Sequence, residues 1–196
     1  KKHEVEELPV AHSSRLDKLK STGSFIVGYA GRLTFANAVQ YVIEGLFFTE
    51  KNIQLAVLGA GPCEKQLKKL VKELGLMGKV HFFDPVNKNQ VQNFLKYIDV
   101  CYVGFMNKDI YKFGVSPTKL NDYMAASKPV IYAIESPGNV VLEAQCGVVC
   151  KPESPKELGG IMDKLSSLDS EELLKMGERG FRWLAFNRDY SRLSAK

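Results

Sequence analysis

Phe25-Ile26-Val27-Gly28-Tyr29-Ala30-Gly31 is a short apolar run ending in glycine, and a helical pattern carrying Ala38, Val39, Val42, Ile43, Leu46 and Phe47 follows it. This reads as strand, tight turn, helix. The unit then recurs in kind, though not in sequence. Ile53 to Leu58 is a second strand and Gly59-Ala60-Gly61-Pro62 a turn, with Pro62 at the expected start of a helix whose apolar face is Leu67, Leu70, Val71 and Leu74 and whose C-cap is Gly75. Val80 to Phe83 is a third strand, Val91 to Tyr97 a third helix face and Val100 to Val103 a fourth strand. Pro117 to Ala126 reads as a helix, Pro129 to Ala133 as a fifth strand, Asn139 to Ala144 as a short helix and Gly147 to Cys150 as a sixth strand. Two helices follow, near Pro155 to Leu168 and Glu171 to Ala185. Six short apolar strands alternating with amphipathic helices predict an α/β fold, a doubly wound, Rossmann-like parallel sheet covered on both faces. Such a sheet binds ligands beyond the carboxyl ends of its strands, so chemistry is expected in the strand-to-helix turns.

The bulk properties agree with that frame. The chain has 196 residues, 25% charged and 45% hydrophobic, enough to build a core without disulfides or a structural metal. No apolar run approaches the roughly 18 residues of a membrane span, and Lys1-Lys2-His3-Glu4 opens no signal peptide. Residues 1–23 are polar and read as a linker with a partial helix, 24–185 as the folded domain and 186–196 as a tail. The first residue is not Met, and the chain is expected to be part of something longer. The net charge of +5 is mild. Its densest cluster, Lys65, Lys68, Lys69 and Lys72, lacks the interleaved aromatics of a nucleic-acid surface and reads as a solvated helix face with Glu64 and Lys68 paired, though it could lean on an acidic lipid surface. Cys146 and Cys150 sit at opposite ends of the sixth strand, about 13 Å apart, and cannot bridge. With Cys63 and Cys101 they are expected as reduced thiols in a cytosolic protein. His3, His12 and His81 make no zinc spacing with them, so no metal is expected.

Four turns are candidates for chemistry. In the first, Gly31 and Arg32 precede a helix, where glycine lets backbone approach a phosphate and Arg32 adds charge; the same residues also describe a strand end with a surface arginine. Gly59-Ala60-Gly61 begins like a dinucleotide fingerprint, but Glu64 stands where its third glycine belongs, and a plain tight turn accounts for it better. The third turn, around Pro85 and Val86, could offer backbone groups to a flat ring or serve only as a turn. The longest signal is Phe113-Gly114-Val115-Ser116-Pro117-Thr118-Lys119-Leu120-Asn121-Asp122-Tyr123-Met124. Ser116 is expected as N-cap and Pro117 as first helical residue, leaving the amides of Thr118 and Lys119 exposed at a positive helix end. Lys119 can neutralise a diphosphate there, and Asp122, one turn on, can accept both hydroxyls of a ribose. A capped core helix with Asp122 in solvent fits the same letters.

This stretch, with its continuation Tyr123-Met124-Ala125-Ala126-Ser127-Lys128-Pro129-Val130-Ile131, resembles the donor-binding half of family 4 glycosyltransferases. The likeness extends from about Phe25 to Leu168 through Tyr29-Ala30-Gly31, Leu58-Gly59-Ala60-Gly61-Pro62 and Val80-His81-Phe82-Phe83-Asp84-Pro85-Val86. The resemblance implies the C-terminal half of a GT-B fold and, in the full-length protein, a retaining hexosyltransferase of the surface-polysaccharide branch, making lipopolysaccharide or capsule. It would pass a hexose or amino sugar from a nucleoside diphosphate sugar, UDP-sugar favoured, to a growing lipid-linked bacterial glycan. By the same resemblance Ser116, Pro117, Thr118 and Lys119 hold the diphosphate, Gly31 and Arg32 flank it, Pro85 and Val86 meet the base, and Asp122 binds the ribose. Lys119 and Arg32 would stabilise the departing diphosphate, with no cofactor and no metal.

The chain departs from the family pattern at two places. Gly114 stands where many members carry the first of two glutamates, and Ala38 where many carry a lysine, whose charge Lys119 is expected to supply. The expected partner is an N-terminal acceptor-binding domain, without which this chain is expected to be inactive, and no nucleic acid is expected. The expected location is cytoplasmic, with the full-length protein peripheral on the inner membrane. Two other functions fit less well. A degenerate, non-catalytic transferase half would lack the glutamate yet keep a partner-binding role, and a nicotinamide-dependent oxidoreductase would need the glycine fingerprint intact.

Overall fold

The computed structural model describes residues 6–187. The apolar runs form β1 (Phe25–Ala30), β2 (Ile53–Leu58), β3 (Val80–Phe83), β4 (Val100–Gly104), β5 (Val130–Ala133) and β6 (Gly147–Val149), all paired in parallel in the order β3-β2-β1-β4-β5-β6. The fold is the six-stranded, doubly wound α/β sheet that the alternation of strands and helices predicts.

Side chains alternate across β1, and that alternation creates two cores. Val27 and Tyr29 enter the layer beneath α2 (Val39–Leu46), α3 (Glu64–Glu73) and α7 (Pro155–Ser166). Ile26 and Ala30 enter the layer beneath α1 (Val10–Ser21), α4 (Lys88–Lys96), α5 (Thr118–Ala125) and α6 (Val140–Glu143). The long α8 (Ser170–Asn187) packs against α5. Helix α1 falls inside the stretch read as a linker, and its Leu16 is fully buried. Lys20 at its last turn is ion-paired with Asp99 at 2.6 Å, while the other Asp99 oxygen accepts from the Ile26 amide at 2.7 Å. Most of the tail read from residue 186 lies outside the described residues.

Several boundaries differ from the sequence reading. Ala38 is not helical: it sits at φ +52°, after a 3₁₀ turn at Phe35–Asn37 that periodicity does not reveal. Pro62 precedes α3 by two residues instead of opening it. At the other end of α3 the expected glycine cap is present, Gly75 donating to Lys72 and Leu76 to Val71 in a Schellman arrangement. The lysine cluster is a solvated helix face, with Lys68 on Glu64 at 2.6 Å and Lys69 on Glu73 at 3.4 Å. All four cysteines are free thiols. No helix among the described residues is long and apolar enough to cross a membrane.

Candidate functional site

Strands β1 and β4 are neighbours whose following segments diverge to opposite faces, which opens a crevice at their carboxyl ends. A cleft of about 630 Å³ occupies that place. The first turn contributes Gly31, Arg32 and Asn37, the second Leu58, Gly59 and Ala60, the third Pro85, Val86 and Lys88, and the approach to α5 contributes Pro117, Thr118, Lys119 and Asp122. Residues more than 90 positions apart thus share one wall system because every strand of a parallel sheet delivers its turn to the same edge.

The first two turns are zipped together by backbone bonds. Gly31 N–H donates to Leu58 at 3.0 Å and Leu33 N–H to Ala60 at 2.9 Å. The Arg32 carbonyl accepts from Tyr29 Oη and Asn37 Nδ2, each at 2.8 Å, so its backbone is pinned while its guanidinium stays exposed.

Helix α5 begins at Thr118, one residue later than its sequence suggests. Pro117 occupies the N-cap position with φ −66° and ψ 117°, and its own side chain makes no capping bond. Proline tolerates that place because its ring presets φ, but it brings no oxygen to receive an amide. Ser116 is therefore not the N-cap; it is exposed on the approach to the helix, outside the cleft wall. The first ladder bond is Leu120 N–H to Pro117 carbonyl at 3.0 Å, which leaves the Thr118 and Lys119 amides ahead of the ladder at the positive helix end. Gly114 closes a 3₁₀ turn over Asp109–Phe113 at φ +103° and ψ 152°, a region open essentially to glycine alone. A glutamate cannot replace it without rebuilding this turn.

Lys119 crosses from α5 to the first turn. Its Nζ donates to Asn37 Oδ1 at 2.5 Å and to Tyr29 Oη at 3.2 Å, and lies 4.7 Å from the Tyr29 ring centre and 5.7 Å from that of Phe105. These partners are neutral, and burial pushes the Tyr29 phenol further from ionisation. Desolvation pulls the Lys119 pKa down to about 8. Asp122 is ion-paired with Lys88 of α4, and its carbonyl accepts from Gln92 at 3.1 Å. Asn37, Lys88 and Phe105 had no assigned role in the sequence. The signal available for Lys88 was Asn87 followed three residues later by Gln90, whose Oε1 accepts from the Asn87 amide at 3.0 Å and so marks Lys88 as the start of a helix.

The cleft thus carries two leading amides and a half-buried ammonium at one end and a carboxylate at the other, groups able to donate to an anion and to accept from hydroxyls. The chain is 26% identical over 145 residues to an uncharacterized glycosyltransferase of Methanocaldococcus jannaschii, covering 71% of this chain and 35% of that protein. Among solved structures it resembles in fold the C-terminal domain of a glycosyl transferase group 1 family protein of Francisella tularensis, with TM-score 0.70 and 19% identity over 89% of this chain and 92% of that one. It likewise resembles the Anabaena protein HepE in complex with UDP and glucose, with TM-score 0.71 and 16% identity over 98% of this chain and 54% of that one. The chain thus spans about a third of the curated relative it matches and about half of HepE. The family model described as glycosyl transferases group 1 matches residues 13–183, nearly the whole described fold, and the chain belongs to that family.

Proposed function

We propose that the cleft holds a nucleoside diphosphate sugar and that this chain is the donor-binding domain of a retaining hexosyltransferase. The diphosphate would lie on the Thr118 and Lys119 amides between Lys119, Gly31 and Arg32, the ribose on Asp122, and the base against Pro85 and Val86. The observation that carries the reading is Lys119, a half-buried ammonium in the wall of a cleft whose hydrogen-bond partners among the described residues are all neutral. A partly desolvated cation of that kind gains most from an anion beside it. Its ammonium also reaches Asn37, next to Ala38, so a charge carried on α5 can serve where many relatives extend a lysine from position 38.

UDP is the favoured nucleotide, since HepE, a protein of similar fold, is known with UDP and glucose. The sugar would be a hexose or amino sugar, the acceptor a lipid-linked bacterial surface glycan, and the location the cytoplasm, with the full-length protein peripheral on the membrane. Acceptor and catalytic contacts would come from an N-terminal domain, and the chain alone would transfer nothing. A degenerate partner subunit is the second reading, favoured by the glycine-only backbone at Gly114. Calorimetric titration with UDP, GDP and NAD, repeated with Asp122→Ala, separates these. Loss of one charge-assisted hydrogen bond, roughly 1.5–3 kcal/mol, predicts at least about tenfold weaker binding of the nucleoside diphosphate. Absence of all nucleoside diphosphate binding at millimolar concentration favours the partner-subunit reading, and preference for NAD the oxidoreductase one.

A further inference from the structure

We infer that Lys88 is a binding residue at the nucleoside end of the cleft, forming with Asp122 a two-residue clamp for the vicinal diol of a ribose. The inference rests on the nucleotide reading above and adds to it a residue from a different helix and a criterion for the ligand, ribose over 2′-deoxyribose.

The Lys88 ammonium is bonded to Asp122 Oδ2, joining the first residue of α4 to the second turn of α5 across 34 positions. Both line the cleft, and with side-chain exposures of 69% for Lys88 and 26% for Asp122 the pair faces the opening. Isolated surface pairs contribute little, because ordering two long side chains offsets the Coulomb gain. Here the supports are already ordered. Gln92 Nε2 donates to the Asp122 carbonyl at 3.1 Å, tying α4 to α5. On its other side α4 is tied to the segment before α1, Gln90 donating to the Glu7 carbonyl at 2.7 Å and Asn93 to the Glu6 carbonyl at 2.6 Å. Lys88 therefore springs from a fixed origin and only its stem adjusts.

The donor and acceptor inventory decides what such a pair can hold. An ionised carboxylate only accepts, and an ammonium only donates. With Lys88 on Oδ2, Asp122 keeps Oδ1 and further lone pairs, and Lys88 keeps two N–H groups. A vicinal diol fits both: its hydroxyls donate to Asp122 while an oxygen accepts from Lys88. A 2′-deoxyribose supplies one hydroxyl and leaves the set incomplete. Lys88 also neutralises the carboxylate, which alone would repel a diphosphate bound in the same cleft.

The test is titration of the 196-residue chain with UDP, 2′-deoxy-UDP, GDP and 2′-deoxy-GDP, for wild type, Lys88→Met, Lys88→Arg and Asp122→Asn. Wild type should prefer the ribonucleotide of its chosen base by about tenfold. Lys88→Met should weaken that ribonucleotide about fivefold and narrow the ribose preference, and Lys88→Arg should restore both. The clamp is overturned if Lys88→Met binds as well as wild type or better, making Lys88 a competitor for Asp122, or if it weakens ribose and deoxyribose forms equally. The nucleotide reading fails separately, and the clamp with it, if wild type binds none of the four; if wild type binds and Asp122→Asn changes nothing, the clamp alone fails.

Discussion

Gly59→Ala should destabilise the fold by about 4 kcal/mol or more, enough to leave little folded protein in a marginally stable domain. The added Cβ would lie 2.1 Å from the Gly31 carbonyl oxygen and 3.0 Å from its carbon, which are backbone atoms that no rotamer change can move. Gly59 also stands at φ +134°, where an L side chain adds strain of about 1–3 kcal/mol to the ~1–3 kcal/mol or more of overpacking. Neither strand end can retreat. Gly31 N–H is bonded to Leu58 and Gly59 N–H to Phe83, each at 3.0 Å, so the second turn is clamped between the first and third. Gly160→Ala is the control: a Cβ there meets nothing within 4 Å, and α7 should gain up to about 1 kcal/mol. At roughly 2–4 °C per kcal/mol for a domain of this size, the melting temperature should fall by about 10 °C or more for Gly59→Ala and stay level or rise for the control. A Gly59→Ala protein as stable as wild type would remove the packing explanation and reopen the dinucleotide reading of Gly59-Ala60-Gly61.

That glycine pair also shows what could be read from letters alone. Its departure from a dinucleotide fingerprint was visible at Glu64, but the reason for the glycines was not, because the carbonyls they make room for, of Gly31 and Leu33, belong to another turn. Strand positions were legible because short runs such as Val100 to Val103 are apolar on both faces, and parallel pairing then brings every turn to one edge. Gly31, Arg32, Pro85, Val86, Thr118, Lys119 and Asp122 meet in one cleft for that reason. Local backbone choices were less legible. A proline can cap a helix or open it, so Ser116 was assigned a cap that Pro117 occupies. A 3₁₀ turn has no apolar period of its own, so Phe35–Asn37 passed as plain turn and Ala38 was read into the helix that follows. Lys88 and Asn37 stayed silent because their roles depend on long side chains meeting across 34 and 82 positions.

Lys119→Met should weaken nucleoside diphosphate binding about a hundredfold and, in the same protein, raise the stability of the empty fold at neutral pH. The two effects have one cause. Removing one member of a desolvated charge pair costs about 2–5 kcal/mol of binding, because the diphosphate is left in the cleft without its counter-charge. In the empty protein the ammonium's partners among the described residues are Asn37 Oδ1, Tyr29 Oη and the Tyr29 and Phe105 rings, none of them charged, so its desolvation is only partly compensated. With the folded pKa near 8 and the unfolded value near 10.5, the unfolded chain binds more protons between those limits, so wild-type stability should rise with pH across that window. Lys119→Met lacks this term. Its stability advantage, about 2 kcal/mol after allowance for solvent around a partly exposed side chain, should be full below pH 8 and fade toward pH 10.5. Binding runs the opposite way: a terminal phosphate with a second pKa of about 6 is mostly ionised by about pH 7, so wild-type affinity should change little between about pH 7 and 8 and fall as Lys119 deprotonates above 8. Paired unfolding and titration series from pH 6.5 to 10 measure both. Extra stability without lost affinity would mean that Lys119 destabilises the fold without serving the ligand, and the diphosphate would then have to rest on Arg32 and the α5 amides alone.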